Sequence, residues 1–158
     1  MFLSPELDPN GAGYHIIQSK IALGSGGFFG KGFMNGTQCR LNFLPEKQTD
    51  FVFAALGEEF GFLGCFVLIF LYSLLLLYNI NVTIKTRQTF SRIVVFGLNS
   101  MLFFYICINI AMVCGILPVV GIPLPFFSYG GSALSILMFA QGLIFATDIL
   151  EKTKQRLI

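Results

Sequence analysis

The chain has 158 residues, of which 55% are hydrophobic and 11% charged, with a formal net charge of +2. Its charged fraction is about half that of an average soluble domain, and its mean hydropathy is +0.78. This excludes an ordinary soluble enzyme, and so weak a positive balance gives no footprint for a nucleic acid partner.

Residues 1 to 12 are a turn-rich entry, with Ser4-Pro5, Asp8-Pro9 and Asn10-Gly11. They do not read as a signal peptide. Tyr14 to Leu23 predicts a short amphipathic helix at the membrane surface, with Ile16, Ile17 and Ile21 near one face. The glycine-rich stretches Gly24 to Gly27 and Gly30 to Gly32 end it. They lack the G-x-x-x-x-G-K-[ST] pattern of a nucleotide loop. Their backbone amides, with Lys31, remain a candidate cradle for an anion such as a pyrophosphate. Gln18, Ser19, Thr37 and Gln38 are candidates for hydrogen bonds to sugar hydroxyls, or ordinary loop residues. His15 is the only histidine and has no serine–acid partner in reach, so a hydrolase triad is unsupported.

Asp50 stands where this loop runs into an apolar helix. Two readings of it stay open. One is a helix N-terminal acid favoured by the macrodipole. The other is a general base, since a low-dielectric boundary disfavours a charged carboxylate and primes it to accept a proton. Asp50, Ala54, Gly57, Gly61 and Gly64 recur every three or four residues, so they share a helix face. Gly57 and Gly61 form a GxxxG pair, predicting close helix packing on that face. Glu58 and Glu59 lie about two turns further along; one is expected to pair with a helix outside this chain and the other to snorkel.

Three charge-free runs, Phe60 to Tyr78, Ile93 to Ile122 and Leu124 to Thr147, are each long enough for a membrane span. The predicted fold is an all-α integral membrane bundle of three transmembrane helices behind an extracytoplasmic loop with short helices. In chain order the expected segments are loop 1–50, span 51–78, linker 79–92, span 93–117, hairpin 118–125, span 126–149 and tail 150–158. The linker carries Lys85, Arg87 and Arg92 without an acid, and the tail carries Lys152, Lys154 and Arg156. By the positive-inside rule linker and tail are cytoplasmic and residues 1–50 extracytoplasmic. An N-terminal segment on that side, and so thin a bundle, suggest the C-terminal part of a larger polytopic protein whose N-terminal transmembrane helices would be partners of this one. Asn109, in mid-span, is expected to bond across helices. Gly115, Pro118, Gly121, Pro123 and Pro125 make an apolar hairpin, because they cannot continue a helix. Cys39, Cys65, Cys107 and Cys114 show no pairing or metal-binding pattern.

Three stretches carry a resemblance. They are Tyr14 to Gly27; Gly30-Lys31-Gly32 through Gly36-Thr37-Gln38 to Leu44-Pro45-Glu46 and Thr49-Asp50-Phe51; and Asn109 through Gly115, Pro118, Gly121 and Pro125 to Phe127-Ser128-Tyr129-Gly130-Gly131-Ser132. Together they resemble the C-terminal part of the SEDS family (shape, elongation, division and sporulation). The Gly36-Thr37-Gln38 turn is more similar to the RodA-like elongation branch than to the FtsW-like division branch. The resemblance implies a peptidoglycan glycosyltransferase of the bacterial inner membrane that polymerises lipid II into β-1,4-linked strands, with a class B penicillin-binding protein as partner. It puts the family's catalytic acid on Asp50, which would take the proton from the acceptor's 4-hydroxyl. Beside that assignment, Lys20, Lys31, Arg40 and Lys47 are candidates to offset charge on the leaving pyrophosphate. Gln48 stands where relatives often have histidine, so a proton relay through that position is absent. No cofactor is evident; diphosphate substrates often use a divalent cation, but no ligand set for one is apparent. Competing expectations are a lipid-linked precursor flippase, or an inactive remnant of a split gene.

Overall fold

The computed structural model describes residues 12–33, 35–36 and 49–156. Four helices account for most of them: α1 (Ala12–Ser25), α2 (Val52–Lys85), α3 (Thr89–Val113) and α4 (Gly131–Arg156). The last three are long and apolar enough to cross a membrane. α2 has 34 residues. At 1.5 Å per residue it is about 50 Å long, well beyond a hydrocarbon core of about 30 Å. It continues past Tyr78 to Lys85, so the linker expected over 79–92 shrinks to Thr86, Arg87 and Gln88.

The three spans pack through narrow stripes. On α3 the buried residues are Val95, Asn99, Leu102, Ile106, Asn109, Met112 and Val113, at steps of three and four. On α4, Leu137, Gln141, Ile144, Asp148 and Glu151 follow the same rhythm. That spacing keeps one face on a neighbour as a helix turns. Only 17%, 28% and 22% of the three spans is buried within the chain. Most apolar side chains therefore face outward, as suits lipid or further membrane helices.

α1 packs on α2 and on the C-terminal end of α3. Its buried face is Ile16, Ser19 and Ala22, with Gly26 just beyond, while Ile21 is exposed. Of the isoleucine face read from the sequence, Ile16 is buried and Ile17 half-buried, but Ile21 lies outside the packing face. Small residues win there because α1 approaches the spans at backbone distance. A Cβ on Gly26 would stand 1.9 Å from the carbonyl oxygen of Gly57.

The α2 helix breaks once. Gly61 has φ 66° and ψ −160°, outside any helical region. A break strands backbone groups, and each unpaired group at membrane depth costs several kcal/mol. The glycine-rich loop supplies the missing partners. Lys31 N–H donates to the Glu58 carbonyl and Gly32 N–H to that of Glu59, both at 3.0 Å. From the other side, Phe62 N–H donates to the Gly27 carbonyl at 3.0 Å and Leu63 N–H to that of Phe28 at 3.2 Å. The two chains approach so closely that only glycine fits. A Cβ on Gly61 would lie 2.3 Å from the Gly30 nitrogen, and one on Gly30 would lie 2.1 Å from the Glu59 oxygen.

This arrangement corrects two expectations. Gly57 and Gly61 do admit a close neighbour, but it is α1 and its following loop, not another spanning helix; a Cβ on Gly57 would meet Leu23. The loop amides expected to cradle an anion are occupied by carbonyls of α2 and, for Gly30 N–H, by Gly26.

Candidate active site

Asp50 lies, half-buried, in the turn that opens α2. The turn is anchored by Phe51, 2% exposed in the core, whose carbonyl accepts the N–H groups of Ala54 and Ala55 at 3.0 and 3.2 Å. Other elements hold the backbone on both sides of Asp50. Ser128 Oγ donates to the Thr49 carbonyl at 2.6 Å and accepts the Leu124 N–H at 2.7 Å. Asn109 Nδ2 donates to the Asp50 carbonyl at 2.9 Å and to the Ile122 carbonyl at 2.7 Å. Asn109 is fully buried, and its Oδ1 has no hydrogen-bond partner among the described residues.

The hairpin between α3 and α4 forms the other wall. α3 ends in a Schellman turn. Gly115 takes φ 70°, its N–H donates to the Met112 carbonyl and that of Ile116 to the Ala111 carbonyl. Gly121 also has φ 70°, and a Cβ built there would lie 3.4 Å from Asp50 Oδ2. The carboxylate therefore rests against the hairpin backbone. Below it, the Tyr72 hydroxyl donates to the Pro125 carbonyl, tying the hairpin to α2. Beside the Thr49–Ser128 contact opens a cavity of about 660 Å³, lined by Val52, Phe127, Ser128, Tyr129, Gly130 and Leu134.

The remaining candidates scatter. Gln18 is half-buried on α1. Ser19 is fully buried, and its hydroxyl lies 2.8 Å from the Ile16 carbonyl and 2.9 Å from the Val113 carbonyl. This fastens α1 to the end of α3 and turns the hydroxyl away from any sugar. Lys20 is exposed, and its stem crosses Gly115 so closely that a Cβ there would stand 2.1 Å from Lys20 Cε. Its ammonium opposes the upward push that burial gives the neighbouring Cys114 thiol, and it sits where the dipole at the end of α3 favours a cation. Lys31 Nζ pairs at 2.9 Å with Glu58, whose side chain is fully buried. Glu58 thus finds its cation inside this chain, not on another helix, and Lys31 serves the kink of α2. Gln38, Arg40 and Lys47 lie outside the described residues, as do Thr37 and Gln48. Among the described residues no three His, Cys, Asp or Glu side chains come together as metal ligands.

Asn109 and Ser128 were visible as members of a motif, but their bonds to the carbonyls of Asp50 and Thr49 were not. The available signal was an amide in a charge-free span, which must find partners inside the bundle. Tyr72 carried no signal apart from a hydroxyl, shared with its neighbour Ser73, in a run of leucines and phenylalanines.

The arrangement of an acid-bearing turn locked to a Gly/Pro hairpin has counterparts. A family model described as cell cycle protein, FtsW/RodA/SpoVE, matches residues 1–153. The chain belongs to the FtsW/RodA/SpoVE family. Among curated members, it is 56% identical over 144 residues to peptidoglycan glycosyltransferase MrdB of Escherichia coli K12, covering 91% of this chain and 39% of that one. It is 43% identical over 148 residues to peptidoglycan glycosyltransferase RodA of Treponema pallidum, covering 94% and 34%. It is also 43% identical over 143 residues to stage V sporulation protein E of Bacillus subtilis, covering 90% and 39%. The chain thus spans about two-fifths of the length of the curated FtsW/RodA/SpoVE proteins it matches. A solved chain from a peptidoglycan synthase complex that coordinates polymerization and crosslinking superposes with a TM-score of 0.78. It is 29% identical, with 95% of this chain and 40% of that one covered.

Proposed function

We propose that this chain carries the catalytic carboxylate of a RodA-like peptidoglycan glycosyltransferase that polymerises lipid II. The observation that carries the reading is the placement of Asp50, at the mouth of α2 with both flanking carbonyls anchored and a cavity alongside. Relatives named as peptidoglycan glycosyltransferases support it. In this reading the Asp50 carboxylate accepts the proton of the acceptor's 4-hydroxyl. The oxygen attacks the anomeric carbon of the donor, the bond to undecaprenyl pyrophosphate breaks, and a β-1,4 linkage forms with inversion. The exposure of Lys20 above the hairpin supports assigning it to offset charge on the departing diphosphate. Lys31 drops out of that role, because its ammonium is paired with Glu58.

We assign the Asp50 end to the extracytoplasmic side of the bacterial inner membrane. Lys85, Arg87, Arg92, Lys152 and Lys154 all gather at the opposite end of the bundle, in keeping with the positive-inside rule. The partner is a class B penicillin-binding protein; a structural relative that belongs to a synthase complex coordinating polymerization and crosslinking supports this pairing.

The test is Asp50→Asn in the full-length protein, assayed for glycan strands from lipid II in detergent. A general base contributes about 10²- to 10⁴-fold, so strand synthesis is expected to fall by about that factor while membrane insertion is unchanged. Detergent removes membrane sidedness, so a flippase would make no strands from either form. Undiminished synthesis by the variant overturns the role of Asp50.

A further inference from the structure

We propose that Asn109 and Ser128 are positioning residues that set the direction of the Asp50 carboxylate, using the α3–α4 hairpin as their frame. The inference rests on the glycosyltransferase reading and goes beyond it. A peptide group is planar and rigid, so a residue's backbone has freedom only at φ and ψ. Two peptide planes bracket the Asp50 Cα. Ser128 holds the first through the Thr49 carbonyl, at 2.6 Å, and Asn109 holds the second through the Asp50 carbonyl, at 2.9 Å. With both planes held, φ and ψ are restrained, and so is the Cα–Cβ bond from which the carboxylate swings; contact of Oδ2 with Gly121 limits the swing.

Each anchor is itself held. The second N–H of the Asn109 amide donates to the Ile122 carbonyl at 2.7 Å, and Ser128 Oγ accepts the Leu124 N–H at 2.7 Å. Both lines end on the same four-residue strip of hairpin that begins with Gly121, the glycine facing Asp50 Oδ2. The acid is therefore aimed by the hairpin as well as by its own helix. The family motif from Asn109 to Ser128 gains a physical reason: it contains both anchors and the strip that they grip. Asn109 does this at full burial and with its own Oδ1 unsatisfied among the described residues. Leaving a buried acceptor unpaired carries a cost, so the amide sits where its two donors are needed and not where all its bonds can be made.

The experiment measures kcat and KM for strand synthesis from lipid II by Ser128→Ala, Ser128→Thr, Asn109→Ala and Asp50→Asn in the full-length protein. Rates are normalised to the monodisperse folded fraction. A displacement near 1 Å at a reacting group costs about 10²-fold. Ser128→Ala and Asn109→Ala are expected to lower kcat by about 10- to 100-fold with KM within about threefold of wild type. Ser128→Thr keeps the hydroxyl and is expected to restore kcat to within about threefold, even if its methyl raises KM. Wild-type kcat in Ser128→Ala and Asn109→Ala, with Asp50→Asn inactive, overturns the positioning role alone. So does a loss that disappears on normalisation, or one that appears only in KM. If Asn109→Ala yields no folded protein, Ser128→Ala and Ser128→Thr decide by the same criteria. Full activity of Asp50→Asn overturns the catalytic role of Asp50, on which the positioning role rests; absence of strand synthesis by the wild-type protein overturns the glycosyltransferase reading.

Discussion

The two ends of α2 are held by opposite means. At the Asp50 end, side chains from α3 and from the segment just before α4 grip backbone carbonyls, and the carboxylate rests against a glycine. At the Lys85 end, most of the grip is side chain on side chain, with one backbone N–H, that of Arg87, held by Glu151. Asn79 and Gln141 exchange amide hydrogen bonds at 3.3 and 3.0 Å, both residues buried. The Tyr78 hydroxyl donates to Asp148 Oδ2 at 2.9 Å, Lys152 pairs with the same oxygen, and Glu151 accepts the Arg87 N–H at 3.3 Å. The far end is interhelical glue, in which each polar group satisfies another. At the near end polar groups are committed to fixing one short stretch of main chain. Substitutions at the far end should therefore change stability and leave turnover per folded molecule alone.

The kink between the two ends should give the largest effect on folding. Gly61→Ala puts a Cβ 2.3 Å from the Gly30 nitrogen and asks an L-residue to hold φ 66°. Overpacking costs typically about 1–3 kcal/mol, and the unfavourable backbone adds to it. Loss of the loop's registry would also unpair Glu58 from Lys31, and breaking a buried pair costs about 3–5 kcal/mol. The expected outcome is a protein that loses its folded, monodisperse form on mild heating. A thermal midpoint within a degree or two of wild type would show that the loop does not depend on that close approach.

The sequence made the near end more legible than the kink, for physical reasons. Charge-free runs mark spans because hydrocarbon excludes charge, and the run from Ile93 holds most of α3 before the Gly/Pro hairpin ends it. Asp50 stood out as a charge at a helix mouth. Buried packing at Ala54, Gly57 and Gly61 followed from their spacing. The pairing of Gly61 with the loop did not, because a left-handed glycine looks like a packing glycine until its tertiary partner is known. The same blindness made Lys31 read as a ligand for phosphate; only the folded loop brings it to Glu58. The α4 stripe of Gln141, Ile144, Asp148 and Glu151 went unread, because the partners that bury its polar members lie on α2 and in the linker after it. The bounds of α2 were missed because Asn79, Asn81 and Thr83 look like a linker, whereas Asn79 is buried against Gln141.

Asn79→Leu gives a smaller change and tests the contrast from the far side. It removes both bonds to Gln141 and leaves that amide buried. Interhelical hydrogen bonds in membranes average about 0.6 kcal/mol and reach about 1.7. The thermal midpoint should fall by a few degrees, while kcat per folded enzyme stays within about twofold. A large fall in kcat with unchanged stability would mean that the two ends of α2 are coupled, and the division between glue and positioning would fail.

Lys152→Ala should give the smallest effect. The lysine pairs with Asp148 one helical turn away, but its side chain is 62% exposed. Exposed ion pairs contribute little, because water screens the charges and the long side chain loses entropy when it is held. Asp148 keeps the Tyr78 hydroxyl as a donor when the lysine is removed. Stability and turnover should both stay within experimental error, and Tyr78→Phe should cost more than Lys152→Ala, because it takes away the bond that crosses between helices. The reverse order in a side-by-side thermal melt would put the electrostatic pair, and not the hydroxyl, in charge of closing α2 against α4.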